Sequence, residues 1–337
     1  MGEINIKRLA SELNLSAATV SRALRDSHEI SAETKARVLE MAKKLAYEPN
    51  PFASSLRQQK SKTIAVIVPE VANNFFALAI KGIEEVARQK DHHVLIYQTH
   101  ESGEIESSFM TRLLSGRVDG ILISPASTVT NKEYFKKVSE KVPMVFFDRD
   151  HDDIEGVKIT TDDYESAYNA VGHLVEAGCK RIGYLAALDT LTTGKKRMQG
   201  YLDALKDNGL PDERNLIVCN CENNEPCRSR IRDFIAQQKP DGILSSIEEL
   251  ALPCYYACKE LNLDIPRDLK LITYSNLSHA ELLNPPLSTI NQPAFEIGTE
   301  AATILFKIFS KRWYDPNITI SLKSSIIKRE STRSVSK

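Results

Sequence analysis

From Thr63 onwards, short apolar runs alternate with stretches that have the periodicity of amphipathic helices. The first run is IAVIVP, the helical stretch FFALAIKGIEEVARQ follows, and HVLIYQ, DGILIS and MVFFD are further strands. The rhythm begins again after Thr161, with KRIGYLA, DGILS and LKLITY. This alternation is typical of βαβ units. It predicts two doubly wound parallel-sheet subdomains with a cleft between them, and ligand-binding groups on loops at the carboxyl ends of the strands.

The residues before this core predict three short helices. Apolar residues from 6 to 13 recur at helical spacing, and Asn5 stands where an N-cap belongs. Asn14 tolerates the left-handed conformation of a tight turn, Ser16 is placed to cap a second helix, and a third helix begins after Ser31. Two short helices joined by such a turn predict a helix-turn-helix.

The outer face of the second helix suits DNA. With Val20 and Leu24 turned inward, four residues near its amino end would face outward: Ala17, Ala18, Ser21 and Arg22. Small side chains let the backbone come close, Arg22 can donate two hydrogen bonds to guanine, and Ala17 or Ala18 can meet a thymine methyl. Ser16 and Thr19 can reach phosphates. Basic residues outnumber acidic ones in residues 1 to 61, although the whole chain has a net charge of -1. A plain helical hairpin with a small, polar face remains the alternative from spacing alone.

The two segments INIKRLASELNLSAATVSRALRD and ISAETKARVLEMAKKLAYEPNPFASSLR closely resemble the DNA-binding headpiece of the lactose-repressor (LacI/GalR-type) family. The pieces ATVSRAL and YEPN…ASSLR are highly specific for it, and they favour DNA binding over the plain hairpin. Asn50 can cap a hinge helix too short to be stable alone. The resemblance implies that paired hinge helices of a dimer enter the minor groove, where Leu56 wedges between base pairs and Ala53 lets the helices pack. An inert linker is the alternative.

The resemblance continues through the core, in IAVIVPEVANNFFALAIKGIEE, GRVDGILIS, PMVFFDR, HLVEAGCKRIGYL and LLNPPLSTINQPAFEIG. It implies a periplasmic-binding-protein-like core, hinged by chain crossovers, that binds an effector. The expected divisions are residues 1–48 for the helix-turn-helix headpiece, 49–61 for the hinge helix and linker, and 62–337 for the effector-binding and dimerisation core. The N-subdomain is expected at about 62–161 and 291–320, and the C-subdomain at about 162–290 and 321–332.

The effector-binding residues that the resemblance implies are Phe75, Phe76, Asp148, Arg149, Thr193, Arg197, Glu248 and Ser275. Core packing is the alternative for the two phenylalanines. The sequence departs from the family at the end of the late strand, where Ser275 and Asn276 replace the usual acidic pair, and at Ile247 and Glu248, which replace an Asn-Asp pair. These changes predict a small-molecule effector that is carbohydrate-related but not a simple hexose.

An enzymatic reading finds no support, since the chain has no GxSxG, Walker or GxGxxG motif. Asp163 is expected to cap the helix that follows it, and His92 and His93 to form a solvated loop pair. The six cysteines are expected to be structural or incidental thiols. No catalytic residue, metal or cofactor is expected.

The sequence therefore predicts a transcriptional regulator, expected to be a repressor, that binds double-stranded operator DNA as a homodimer. Dimer contacts are implied around residues 250 to 256 and 280 to 283. The polar terminus MGEINIKRLASEL resembles no signal peptide, and a cytoplasmic, membrane-free protein is expected. A sugar-binding protein without DNA function is the alternative, and it would leave the headpiece unexplained.

Overall fold

The computed structural model describes residues 5–24, 26–47, 61–115, 117–129, 132–151, 153–212, 214–218, 225–312 and 315–334. It divides into two compact units: Met1–Ser61, which includes the headpiece, and Lys62–Lys337, the core. The predicted Asn50, Ala53 and Leu56 lie outside the described residues.

The headpiece contains the three predicted helices, α1 (Ile6–Glu12), α2 (Ala17–Leu24) and α3 (Ala32–Lys44). Local side chains set their starts: Asn5 accepts hydrogen bonds from the Lys7 and Arg8 amides at the start of α1, and Ser31 accepts from the Thr34 amide. Such caps are each worth about 1 kcal/mol. Asn14 has a φ of 54°, which makes the tight turn after α1. Leu9, Val20 and Val38 are fully buried where the three helices meet.

The core alternates strands and helices as predicted. Its strands are β1 (Thr63–Val68), β2 (His93–Gln98), β3 (Gly120–Ile123), β4 (Met144–Phe147), β5 (Val157–Thr161), β6 (Ile182–Leu185), β7 (Ile217–Val218), β8 (Gly242–Ser245), β9 (Lys270–Tyr274), β10 (Ser288–Asn291), β11 (Thr319–Leu322) and β12 (Ser325–Ile327). Its helices are α4 (Asn74–Gln89), α5 (Gly103–Leu113), α6 (Glu133–Ser139), α7 (Asp163–Glu176), α8 (Thr192–Asp207), α9 (Glu225–Gln238), α10 (Ala251–Glu260) and α11 (Ala294–Phe309). Short 3₁₀ helices cover Arg214–Leu216, Glu248–Leu250, Ala280–Leu282 and Glu330–Thr332.

The strands form two six-stranded sheets, one in each subdomain. The N-subdomain sheet has the order β11-β5-β4-β3-β1-β2 and is parallel throughout. The C-subdomain sheet has the order β12-β10-β9-β8-β6-β7, and only the β12–β10 pair is antiparallel. The predicted fold class is confirmed. The chain crosses between the sheets after β5, after β10 and after β11, so three short segments join the subdomains.

Helices cover both faces of each sheet, because parallel strands are buried on both sides. The side chains from Ile64 to Val68 in β1 have no exposed surface, and burying each of the larger ones is worth about 1.5–3 kcal/mol. The helices α4 and α11 pack against each other at glycines: a Cβ on Gly298 would overlap the carbonyl of Ala79, and one on Gly82 the carbonyl of Phe295. This close contact places α11, which follows the second crossover, against α4 in the N-subdomain.

Candidate functional site

The helix α2 separates a buried side from an exposed one. Val20 and Ala23 have at most 2% of their surface exposed, whereas Ala18 and Arg22 are exposed on the other side. Leu24, predicted to share the buried stripe with Val20, is only half-buried. The side available to a major groove therefore carries one small residue and one arginine, with the half-buried Ser21 beside them.

One predicted contact residue faces a different way. Ala17 was expected to point outward, but it is half-buried and packs against the headpiece core. It is the first residue of α2, where the chain enters from the turn and the side chain lies over the neighbouring helices. The exposed Ala18 is the alanine placed to meet a thymine methyl.

The polar residues of this face have local partners. The Ser16 hydroxyl accepts from the Thr19 amide at 3.0 Å and lies 2.9 Å from the Thr19 hydroxyl, which confirms Ser16 as the N-cap of α2. Arg22 is about half exposed, and its Nη1 lies 3.2 Å from the Glu29 carboxylate. An exposed pair of this kind is worth less than about 1 kcal/mol, so Arg22 can give up Glu29 in exchange for two hydrogen bonds to a guanine.

In the core, the predicted effector residues follow the carboxyl ends of strands or begin helices at the edges that face the other subdomain. Asp148 and Arg149 follow β4, Ser275 follows β9, and Thr193 and Arg197 lie in the first two turns of α8. Parallel strands bring these side chains to one edge of each sheet.

Arg197 is almost completely buried, with 3% of its surface exposed. Its Nε donates to the Asp163 carboxylate at 2.8 Å, and its Nη1 donates to the Ser246 carbonyl at 2.6 Å. Its guanidinium carbon lies 3.7 Å from the centre of the Tyr274 ring. Burial raises the pKa of Asp163, and the nearby Arg197 opposes that rise.

Asp163 was expected to cap a helix, and this expectation is wrong. Asp163 is the first residue of α7, and the N-cap position belongs to Asp162, whose side chain instead accepts from the Ser324 amide at 2.7 Å. Asp163 pairs with an arginine 34 residues further along the chain, which local spacing could not reveal.

Arg149 is the second buried arginine. Its Nη1 donates to Glu101 at 2.7 Å, and its Nε lies 3.5 Å from the Asp148 carboxylate. Although burial opposes it, Arg149 lowers the pKa of Glu101. Burial raises the pKa of Asp148 to about 6, against the attraction of Arg149 and Arg197. Both arginines of the cleft therefore already have a carboxylate partner.

Phe75 and Phe76 belong to the hydrophobic core of the N-subdomain, with 7% and 3% of their surface exposed. Their rings meet edge to face at 5.3 Å. Both phenylalanines therefore pack in the core, which was the alternative to effector binding. Phe76 additionally lies below the guanidinium of Arg149, 5.4 Å from the ring centre.

Hydrogen bonds join the two subdomains directly. Asn74 donates to Glu248 at 2.9 Å, and Glu248 also accepts from the Ser275 hydroxyl. Asn73 donates to Glu249 at 2.6 Å, and Thr193 donates to the Asp148 carbonyl at 3.2 Å. Glu248 thus brings a carboxylate to the hydroxyl of Ser275, the residue that replaces an acid of the family pattern.

Sequence reasoning missed Asn73, Asn74, Glu101 and Glu249, because nothing local marks an asparagine at a helix start as a partner for a glutamate of the other subdomain. It also missed Glu106, which is fully buried in α5. Glu106 accepts hydrogen bonds from the Tyr134 hydroxyl and, at 2.7 Å, from the Ala126 amide. Burial raises its pKa to about 7.

Two other expectations changed. His92 is not a solvated loop residue: only 15% of its side chain is exposed, and its Nε2 lies 3.4 Å from the Asp119 carboxylate. Cys179, Cys254 and Cys258 are buried free thiols, but Cys227 is disulfide-bonded.

Within the described ranges, no helix is long and apolar enough to cross a membrane.

Comparison with known proteins agrees with this geometry. Residues 5–50 match the family described as bacterial regulatory proteins, lacI family, and residues 171–332 match a periplasmic binding protein-like domain. The HTH-type transcriptional repressor CytR of Escherichia coli K12 is 30% identical, over 89% of this chain and 88% of its own. Catabolite control protein A of Priestia megaterium is 27% identical, over 98% of this chain and 99% of its own.

Solved structures agree on the fold. The lac repressor dimer bound to operator and the anti-inducer ONPF is 21% identical, covers 98% of this chain and all of its own, and has a TM-score of 0.86. A periplasmic binding protein/LacI transcriptional regulator from Alkaliphilus metalliredigens, complexed with D-xylulofuranose, is 26% identical over 82% of this chain and 100% of its own, with a TM-score of 0.69.

The specific headpiece motif, the two-subdomain core and the repressor relative at 30% identity lead to one conclusion. This chain belongs to the lacI family of bacterial regulatory proteins, whose members are DNA-binding transcription regulators.

Proposed function

We propose that this protein is a sequence-specific transcriptional repressor whose operator affinity is modulated by a small-molecule effector in the cleft of the core. The observation that carries the proposal is the exposed side of α2, where Ala18 and Arg22 stand opposite the buried Val20 and Ala23. Small side chains beside one arginine let the helix approach base edges and read a guanine.

Two copies of α2 in a homodimer would read half-sites in successive major grooves. Ser16 and Thr19 would contact phosphates beside the recognition helix, and Ser21 would approach the bases with Arg22. Two Leu56 side chains would wedge into the minor groove at the centre, with Ala53 and Asn50 shaping the hinge helices. A roughly palindromic operator follows from this two-fold symmetry.

The dimer would form through the core. Three large apolar side chains near the expected contacts are exposed: Leu252 at 42%, Tyr256 at 55% and Leu282 at 73%. The edge strand β2 adds Leu95 and Ile96, exposed at 43% and 46%. An unpaired edge and a group of exposed apolar side chains are typical of a surface that a second copy covers.

The effector would bind among Asp148, Arg149, Thr193, Arg197 and Ser275, with Glu248 at the mouth and Phe76 behind. Because each arginine already has a carboxylate partner, an anionic ligand gains no unpaired positive charge there. A neutral, carbohydrate-related molecule fits these already paired charges. Position 275 carries a serine instead of the family's acid, and the nearby carboxylate comes from Glu248, which favours a ligand other than a simple hexose. Phe75 would complete the wall mainly through packing.

We propose the domain divisions expected from the sequence, with the hinge at 49–61, and a cytoplasmic location, where the chromosome is accessible. We propose no enzymatic activity, since Asp163 and Arg197, the buried ionic pair of the cleft, neutralise each other rather than present a reactive group.

The test is selection of bound duplexes from a random DNA pool by the full-length protein. The proposal predicts a palindromic consensus with two half-sites, and a matched Arg22→Ala selection that loses information mainly at one position of each half-site. A pool without a consensus would contradict DNA reading and favour a binding protein without DNA function.

A thermal-shift screen with matched neutral sugars, sugar acids and sugar phosphates then tests the effector class. Tight binding of ordinary hexoses alone would contradict it.

A further inference from the structure

Lys62 is the first residue of the core, and the chain leaves the core there towards the headpiece. Three contacts hold Lys62, and a fourth holds the next residue. The amide of Lys62 donates to the Asp119 carboxylate at 2.9 Å, its carbonyl accepts from the His93 amide at 2.8 Å, its ammonium pairs with Asp91, and the next residue, Thr63, accepts from the Asp119 amide at 2.8 Å. A movement of Asp119 is therefore transmitted to the point where the linker begins.

His92 holds Asp119 in place. Its Nε2 lies 3.4 Å from the same carboxylate oxygen that accepts from the Lys62 amide, and its Nδ1 lies 2.7 Å from the Lys90 carbonyl. Each ring nitrogen thus faces an oxygen atom, one of the Asp119 carboxylate and one of the Lys90 carbonyl. The side chains of His92 and Asp119 are only 15% and 12% exposed, so solvent screens this contact far less than it screens a surface pair.

The other side of the His92 ring packs on α11. Its centre lies 4.8 Å from the ring of Phe306, edge to face, and 6.0 Å from that of Phe309, in a stacked arrangement. Both phenylalanines are in the last turn of α11. His92 therefore contacts both the end of α11 and the residue that fixes Lys62.

The other end of α11 lies at a crossover between the subdomains. The segment after β10 leads into Ala294, and Asn276 holds that segment by donating to the Gln292 carbonyl at 2.7 Å. Asn276 is adjacent to Ser275 in the cleft wall. Contacts thus run without a gap from the cleft through the crossover and α11 to His92.

We propose that His92 is a positioning residue that couples α11, and through it the closure of the cleft, to Lys62 and the linker to the headpiece. The inference rests on the proposed function, because its consequence is operator affinity. A rotation of the C-subdomain at the crossover would displace Asn291 and Gln292, shift α11 along its contact with α4, and move the two phenylalanines against His92.

Hydrogen exchange on the full-length protein, with no DNA present, tests the first half. His92→Phe keeps a ring against Phe306 and Phe309 but loses the contact with Asp119, whereas His92→Gln keeps a donor. His93→Phe is the matched control, because His93 is exposed and contacts Lys62 only through its backbone. We expect His92→Phe to speed exchange of the Lys62 amide by about tenfold, the equivalent of about 1.4 kcal/mol, and the other two variants to stay within about threefold of the parent.

Operator titration tests the second half, with the duplex that the random pool returns. We expect His92→Phe to weaken operator binding by about tenfold and to leave random-DNA affinity unchanged, because the headpiece itself is intact. Unchanged exchange at Lys62 would overturn the proposal, as would unchanged operator affinity. A His92→Gln variant that behaves like His92→Phe would show that a donor at position 92 does not restore the effect, and this would overturn the role of the contact with Asp119. If no duplex is selected at all, the proposed function fails, and the exchange result still decides the role of His92.

Discussion

The recognition helix and the effector cleft both depend on an arginine, but in opposite surroundings. Arg22 is about half exposed, and its carboxylate partner is seven residues away in the same unit. Arg197 is 3% exposed, and its partners Asp163 and Ser246 come from other segments of the core. The first side chain is free to exchange its partner for a DNA base. The second is fixed, so it shapes a binding wall, and its removal would leave a buried carboxylate without a cation.

The largest expected effect is on the buried arginine. Arg197→Ala leaves the Asp163 carboxylate buried without its cation, and we expect the free energy of unfolding of the core to fall by about 3–5 kcal/mol in urea titration. The matched control is Arg232→Ala: the ion pair of Arg232 with Asp233 is exposed, so we expect a much smaller loss. A double Asp163→Asn, Arg197→Met variant should recover most of the loss. If Arg197→Ala and Arg232→Ala cost the same, the contrast between the two arginines is wrong.

The buried Glu106 makes the free energy of unfolding depend on pH. Its pKa is about 7 in the folded protein, against 4.5 for an exposed glutamate, so the folded state holds an extra proton between those values. Stability from this group is complete at low pH and falls by about 3 kcal/mol as the pH rises to about 7. Glu106→Gln does not titrate. The difference in unfolding free energy between this variant and the parent should therefore rise by about 3 kcal/mol between about pH 4.5 and about pH 7 and stay constant above that range.

The control for this measurement is Glu104→Gln, an exposed glutamate of the same helix. It should leave the pH dependence of unfolding unchanged. A Glu106→Gln variant whose stability runs parallel to that of the parent from pH 4.5 to pH 8 would contradict the assignment of the buried carboxylic acid.

At the exposed arginine the expected loss is in recognition, not stability. Arg22→Ala should weaken operator binding by about 1–3 kcal/mol in fluorescence anisotropy titrations and leave the melting temperature of the headpiece unchanged. Glu29→Ala, which removes only the partner of Arg22, should not weaken operator binding. Equal losses on operator and random DNA would show that Arg22 contacts phosphate rather than a base.

The smallest expected effect is at the bonds between the subdomains. Asn74→Ala and Glu248→Ala should each lower the unfolding free energy by about 1 kcal/mol, and a double-mutant cycle should give a coupling of about 0.5–1.5 kcal/mol. Asn73 with Glu249 forms the matched cycle. A coupling near zero in both cycles would mean that these bonds do not hold the cleft closed.

The same contrast explains what the sequence could predict. The caps Asn5 and Ser16, the start of a helix after Ser31, the turn at Asn14 and the strand-helix alternation were all confirmed. Each depends on neighbours within a few residues. Asp163 and His92 were misread because their partners are distant in sequence, and Ala17 because a helix's first residue can lie over its neighbours. Motif resemblance supplied the family, but not the partners that neutralise the buried arginines.

Whether the protein reads DNA sequence is decided by a salt titration of its DNA binding. Binding of the full-length protein to the DNA upstream of its own coding sequence and to duplexes from the selected pool should be compared with scrambled DNA of equal length. We expect a preference of about a thousandfold or more that persists at physiological salt. Equal, steeply salt-dependent affinity for all of these duplexes would contradict it.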